Sequence, residues 1–313
     1  MFRAYAALLT LGLIWGSNFI YMKWATALIS PAQTVFLRVL FGFLPLLFIA
    51  WRSKVLTRKQ WTHIPHFAVM SVLAASFYYY GFVAGTALLS SSVAGLLSGA
   101  IPIFTCLCAA LLLPDERPTK QMTIGVALGF VGIVLSAQPW EGDSGISLLG
   151  VAWMLLGSLS LGGSYVYTRR YLSPLKLPPL ALATWQTGFA LLTLLVLTDF
   201  TDIGQLATSP QALWGTIIGL GVLGTGAAFL LYYFLIEHLG PVRAVGATYI
   251  ALIVAVIIGA AIGDHITFLQ IIALVLILGG VLLIQTAKRS LVPTASKLAT
   301  DLAAKNIEKV LPH

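Results

Sequence analysis

Ten apolar stretches follow one another along this chain, at 4–24, 32–51, 67–89, 91–113, 122–138, 147–168, 178–198, 212–236, 242–263 and 267–287. Each matches or approaches the roughly 20 residues that a helix needs to cross the hydrocarbon core of a bilayer. In lipid every backbone polar group must be satisfied inside the segment, so helices are the expected form. The second five stretches echo the first five, and five is odd. A repeat with an odd number of crossings starts its second copy from the opposite membrane face. Two copies of one bundle, one inverted, enclose a midplane site in secondary transporters. The expected fold is an all-α polytopic membrane protein, with two inverted five-helix repeats around a central cavity.

The expected organisation is a first repeat at 1–138, a short outer linker at 139–146 (PWEGDSGI), an inverted second repeat at 147–287, and a basic cytoplasmic tail at 288–313. Charged residues make up only 9% of the chain and hydrophobic ones 59%, against about 25% charged in soluble domains. The net charge of +8 would suit nucleic acid, but its placement points elsewhere. With the N-terminus inside the cell, all of the 18 Lys and Arg except Lys23 and Arg38 fall in cytoplasmic segments. The outer loops hold Glu141, Asp143, Asp199, Asp202 and Asp264. This positive-inside pattern places both termini in the cytoplasm of a cell (inner) membrane, and no nucleic-acid partner is expected. No cleavable signal is apparent at the N-terminus. Cys106 and Cys108 lie in an apolar run without further ligands nearby, so they read as small core side chains rather than a metal site.

Shifted by 147–148 residues, the chain matches itself. Gly16 and Ser17 fall on Gly163 and Ser164; Phe41, Leu44 and Leu47 on Phe189, Leu192 and Leu195; Glu116 on Asp264; Gly132 on Gly280. Small residues four apart recur as helix-packing seams: Gly12 with Gly16, Gly95 with Gly99, Gly125 with Gly129, Gly215 with Gly219, Gly259 with Gly263. Pro102 lacks an amide hydrogen and should bend the fourth helix, at a depth where unpaired backbone is tolerated beside protein or a wet cavity.

The segments WGSNFIYMKWA (15–25), FLRVLFGFLPLL (36–47) and PDERPTKQMTIGVALGFVGIVL (114–135) resemble the drug/metabolite transporter superfamily, specifically its EamA-type ten-helix exporters. The likeness spans 4–287 and is weaker in the second half, where Asp264 replaces Glu. It implies helices 1–4 and 6–9 around a cavity, helices 5 and 10 at the periphery, alternating access, and small metabolites as cargo, often amino acids leaving the cell.

Polar groups inside the spans are the candidates for solute contact. Asn18, flanked by Trp15 and Tyr21, needs a hydrogen-bond partner at this depth, from the solute or from another helix. Arg38 lies within the second span; it binds a solute carboxylate or gates the outer mouth, or else it snorkels or pairs with an outer acid such as Asp199. Lys23, closer to the surface, reads as a snorkelling residue. Tyr78, Tyr79, Tyr80, Trp153, Tyr165, Trp185, Gln186, Tyr232 with Tyr233, and Tyr249 place further amphipathic groups within spans, where a hydroxyl without a partner is costly. Gly95, Gly99 and Pro102 are the candidate hinge and packing residues.

All ten Asp and Glu fall in loops, at helix ends or in the tail. Proton-coupled carriers commonly relay through an intramembrane carboxylate, so its absence points to facilitated diffusion or another coupling group and weighs against a cationic solute. GLGVLG (219–224) fits a dinucleotide fingerprint but has no strand before it. No catalytic constellation, cofactor motif or metal cluster is visible. The leading expectation is a carrier exporting small zwitterionic or aromatic metabolites, amino acids foremost. The alternatives are an importer or exchanger of a quaternary ammonium compound, vitamin or nucleotide sugar, and a non-transporting scaffold or receptor. The expected partners are a small-molecule solute and membrane lipid, with monomer and homodimer both open.

Overall fold

The computed structural model describes residues 2–113, 116–140, 146–287 and 290–291. Among the described residues, nine helices are long and apolar enough to cross a membrane: α1 (Phe2–Thr26), α2 (Pro31–Arg52), α3 (Arg58–Leu88), α4 (Ser91–Leu112), α5 (Lys120–Ala137), α6 (Leu148–Leu175), α7 (Pro179–Leu197), α8 (Pro210–Leu239) and α10 (Phe268–Thr286). The tenth, α9 (Gly246–Ala261), is shorter. The chain is a multi-pass helical membrane protein. Large apolar side chains such as Val196, Leu197, Phe268 and Val275 point outward, as a lipid-facing surface requires. Beyond the helices, two-residue strands β1 (Glu116–Arg117) and β2 (Ser290–Leu291) pair antiparallel.

The helix starts are written into the sequence. Ser30 and Gln33 form a reciprocal capping box at α2, as do Thr267 and Gln270 at α10. Ser90, Thr119 and Ser147 cap α4, α5 and α6, each accepting a backbone N–H that the first turn leaves unpaired.

Call the face where α1 begins the first face and the face where it ends the second. Long-range hydrogen bonds then check the number of crossings, because ten spans assign every loop to one face. On the second face, Lys23 Nζ donates to Leu89 O at 2.7 Å, Gln33 Nε2 donates to Asp199 O and Thr201 O at 2.8 and 2.6 Å, and the start of α4 binds Asp264. On the first face, Trp185 Nε1 donates to Gln60 Oε1 at 2.7 Å, His66 meets the Tyr167 hydroxyl at 2.8 Å, and β1 pairs with β2. Every bond joins segments that ten crossings put together, so α6 runs opposite to α1.

Helix packing has a twofold pattern. α1 packs on α9 as α6 packs on α4; α2 on α8 as α7 on α3; α3 on α6 as α8 on α1. Three further extensive pairs, α2–α7, α4–α9 and α5–α10, map onto themselves. The relation reaches single residues. Gly132 abuts Ala273 and Ile277, and Gly280 abuts Gly125 and Gly129; a shift of 148 turns one set of contacts into the other. Between α1 and α9 the seam is Gly12 and Gly16 against Ile250 and Val254. Its counterpart on α6 is Gly162 against Phe104 and Thr105, whereas Gly163 meets nothing. The sequence match of Gly16 to Gly163 is thus off by one residue in space. Gly263 also departs from expectation: it touches nothing and turns the chain at φ +99°, a left-handed conformation open to glycine.

The expected bend in α4 lies one turn before Pro102. The helix breaks at Ser98–Gly99, because proline supplies no N–H to Ser98 O, which instead accepts from Ile101 N at 3.1 Å. Ser98 Oγ donates to Gly95 O at 2.6 Å. Gly95 lets Ala255 of α9 approach, and Gly99 admits Ile277 of α10.

Candidate functional site

Arg38 is 5% exposed and sits seven residues into α2 from Pro31. Its Nε donates to Thr225 Oγ1 at 3.1 Å, its Nη2 reaches Gly224 O at 3.5 Å, and its guanidinium lies 4.0 Å from the centroid of the Tyr79 ring. It neither snorkels nor pairs with Asp199, whose carboxylate is taken by Thr201 N–H and Oγ1 at 2.9 and 2.6 Å. Local backbone geometry makes the berth. Gly215–Ala227 of α8 is wound as a π-helix, which spreads the carbonyls and is common at functional sites. Five glycines in that segment leave room for Phe41 and Pro45 of α2 to lie directly on backbone. Thr225 Oγ1 passes the interaction on, donating to Leu220 O at 3.0 Å.

The second half repeats this device in neutral form. Gln186 of α7 is 148 residues beyond Arg38, is buried, and donates from Nε2 to Ala74 O at 3.4 Å. Ala74 lies in another π-helical turn, Val72–Ser76 of α3, which the same shift maps into the α8 segment. Each repeat therefore inserts one long polar side chain into the unwound turn of the other. The register that matches Phe41 with Phe189 already aligns Arg38 with Gln186; the π turns have no sequence signature of their own beyond glycine in α8.

Tyrosines gather around Arg38. Tyr78 lies within Coulombic range of it, and Tyr79 lies beneath it. The Tyr165 hydroxyl, on α6, comes within range of Tyr78 and Tyr79 on α3 and of Tyr232 and Tyr233 on α8. Tyr165 is nevertheless 48% exposed. With tyrosines of α3 and α8 in its neighbourhood, Tyr165 is placed to line a hollow between those helices. Trp15 joins the wall through Tyr232, with ring centroids 5.8 Å apart. Asn18 is 5% exposed, its Oδ1 has no hydrogen-bond partner among the described residues, and it abuts Gly224. Tyr249 contributes a buried hydroxyl, also unpartnered.

Other candidates lie elsewhere. Tyr21 lies over Gly215 and Gly219 of α8 and beside Trp24. Tyr80 and Trp153 form an edge-to-face pair, centroids 5.4 Å apart, in the α3–α6 seam. Trp185 stacks on Phe67 at 5.6 Å and spends its N–H on Gln60. These four pack their rings between helices.

Packing around α4 is tighter toward the second face. Ser91–Leu97 of α4 is buried at every position, whereas beyond the break only Ala100, Ile103 and Cys106 are. Asp264, at the end of α9, accepts from Ser92 N and Ser92 Oγ at 3.0 and 2.9 Å, placing a carboxylate on a helix N-terminus, where the dipole favours it. Lys23 holds the last carbonyls of α3, Ala87 O and Leu89 O, at 3.2 and 2.7 Å. It is therefore a C-terminal cap rather than a snorkelling residue, and it lies within Coulombic range of Asp264. A separate cleft of about 470 Å³, bounded by Thr26, Ser30, Gln33, Asp199 and Gln205, lies on the second-face rim outside the helix interior. Among the described residues no group of His, Cys, Asp and Glu could hold a metal ion.

Comparison with known proteins places this architecture. The model of the EamA-like transporter family matches twice, at residues 2–138 and 148–286. The chain is 23% identical over 223 residues to an uncharacterized transporter of Archaeoglobus fulgidus, covering 71% of this chain and 76% of that protein. It is 23% identical over 291 residues to the uncharacterized transporter YyaM of Bacillus subtilis (89% and 92% covered). It is 27% identical over 209 residues to the uncharacterized inner membrane transporter YedA of Escherichia coli K12 (63% of each). A solved crystal structure shares the fold with a TM-score of 0.62 at 20% identity, over 90% of this chain and 96% of that one. With both halves matched by one family, the chain belongs to the EamA-like transporters.

Proposed function

We propose that this transporter exports small zwitterionic metabolites, amino acids foremost and aromatic or apolar ones among them, by alternating access across the cytoplasmic membrane. The observation that carries the reading is Tyr165, half exposed with tyrosines of two other helices in its neighbourhood. A hollow walled by Trp15, Tyr78, Tyr165 and Tyr232 suits an apolar or aromatic side chain, since ring faces stack on such groups. All Asp and Glu of the described residues lie at helix ends, in loops or in β1, and Arg38 occupies the wall. A solute with net positive charge would meet repulsion there without a compensating carboxylate. The quaternary ammonium alternative is disfavoured on that ground.

The side of access rests on charge placement and the packing around α4. If the basic loops face the cytoplasm, the second face is outside, and the packing is tighter outward and looser toward the cell interior. An exporter loads from that state, and an importer discharges from it. Exchange between the two states follows from the twofold arrangement, because each face can in turn adopt the packing now held by the other. Reconstitution in liposomes with counterflow of labelled amino acids tests the reading. Saturable flux is expected; no saturable flux for any amino acid overturns it.

A further inference from the structure

We propose that Arg38 and Asn18, which converge on Gly224, form a two-point site for the carboxylate and ammonium groups of an α-amino acid; this rests on the carrier reading above. The guanidinium is fixed by Thr225, Gly224 and the Tyr79 ring, and no hydrogen bond from the described residues engages its Nη1. Among the described residues its charge has no carboxylate partner, and a buried unpaired charge is costly. A planar fork with unspent N–H groups is the geometry that recognises a carboxylate. On the other side of Gly224 lies the opposite deficiency. Asn18 Oδ1 is an acceptor sealed from solvent and without a donor.

A Cβ built on Gly224 would stand 2.5 Å from Asn18 Oδ1, while Gly224 O takes Arg38 Nη2. The donor and the acceptor are therefore held on either side of a single glycine. An ammonium supplies Oδ1 with its donor, and the adjoining carboxylate neutralises the guanidinium. An amine alone leaves Arg38 unpaired and is repelled by it. A carboxylic acid alone leaves Oδ1 unpaired. Only a molecule carrying both groups on neighbouring atoms satisfies both residues, with its side chain toward Trp15 and Tyr232.

The test uses the full-length protein in detergent and in liposomes. Thermal stabilisation is measured with the standard amino acids, then with the decarboxylated amine and the deaminated acid of the strongest binder, and counterflow is measured with the same three. The amino acid should bind at least about tenfold tighter than either half-molecule, since a site built around polar groups rejects analogues that leave them unpaired. Arg38→Gln installs the residue type found at the symmetry-related position 186, and it should abolish the advantage of the amino acid over the amine. Asn18→Leu should abolish its advantage over the acid while keeping its advantage over the amine.

Equal binding of all three compounds, no binding by any of them, or an unchanged preference in both variants overturns the site. Should Arg38→Gln fail to fold, Asn18→Leu alone decides, because it leaves the Arg38 anchorage in place. Flux that ignores the charged groups refutes the site and leaves the carrier standing. Binding with the expected preferences but without flux refutes the carrier and leaves the site.

Discussion

Asp264→Asn isolates the closure of the second face. The carboxylate of Asp264 accepts from Ser92 N at 3.0 Å and Ser92 Oγ at 2.9 Å, and Lys23 adds Coulombic attraction. Hydrogen bonds to a charged group contribute about 1.5–3 kcal/mol each, against about 1 kcal/mol for neutral pairs, and a carboxylate at a helix N-terminus adds about 0.3–1 kcal/mol. An amide keeps one acceptor and loses the charge, so the closed face should weaken by roughly 1.5–2 kcal/mol. At about 1.4 kcal/mol per factor of ten, the open population of that face rises on the order of 10- to 30-fold. The assay places a cysteine at Ser91, which is 1% exposed, in a background without Cys106 and Cys108, and follows maleimide labelling of detergent-purified protein. Labelling should accelerate by that factor in Asp264→Asn and also in Ser92→Ala, which removes one of the two donors. An unchanged rate in both would mean that the contact is not what keeps the second face closed.

Three further outcomes follow from the packing and the loop charges. Gly280→Ala would drive a Cβ onto Gly125 O and Gly129 N; both are backbone and cannot rotate away, so thermal unfolding should show a loss of about 1–3 kcal/mol, while Gly279→Ala, with nothing within 4 Å, should be neutral or gain up to about 1 kcal/mol in helix propensity. Trp185→Phe keeps the ring that stacks on Phe67 and removes the bond to Gln60; stability should fall by about 0.5–1.5 kcal/mol with the half-saturating amino acid concentration unchanged. The side-chain and backbone donors of Thr201 hold the Asp199 carboxyl below its ordinary value. A depressed carboxyl stabilises the fold above the unfolded-chain value and loses that contribution as pH falls through the folded one, so its carboxyl resonance should titrate in acid below the usual aspartate range and move back toward it in Thr201→Val.

The sequence by itself determined the count, order and approximate limits of the spans, because hydropathy over about 20 residues and capping residues such as Ser30 and Thr267 act locally. It also determined the twofold relation, since a repeat leaves its trace at one offset; Gly132 and Gly280 were paired by sequence and meet symmetric partners in space. Which polar residues face the hollow was decided only by the tertiary structure. Lipid and protein interior are both apolar, so a membrane helix carries no strong signal of which face turns inward. Helix rotation is then set by which partner lies on which glycine. Tyr79 and Tyr80 are adjacent in sequence, yet one lies under Arg38 and the other packs on Trp153. For the same reason Lys23 reads as a surface cation until α3 ends within its reach. Arg38 reads as a charge seeking headgroups until the unwound turn of α8, contributed by the other repeat, offers it Thr225.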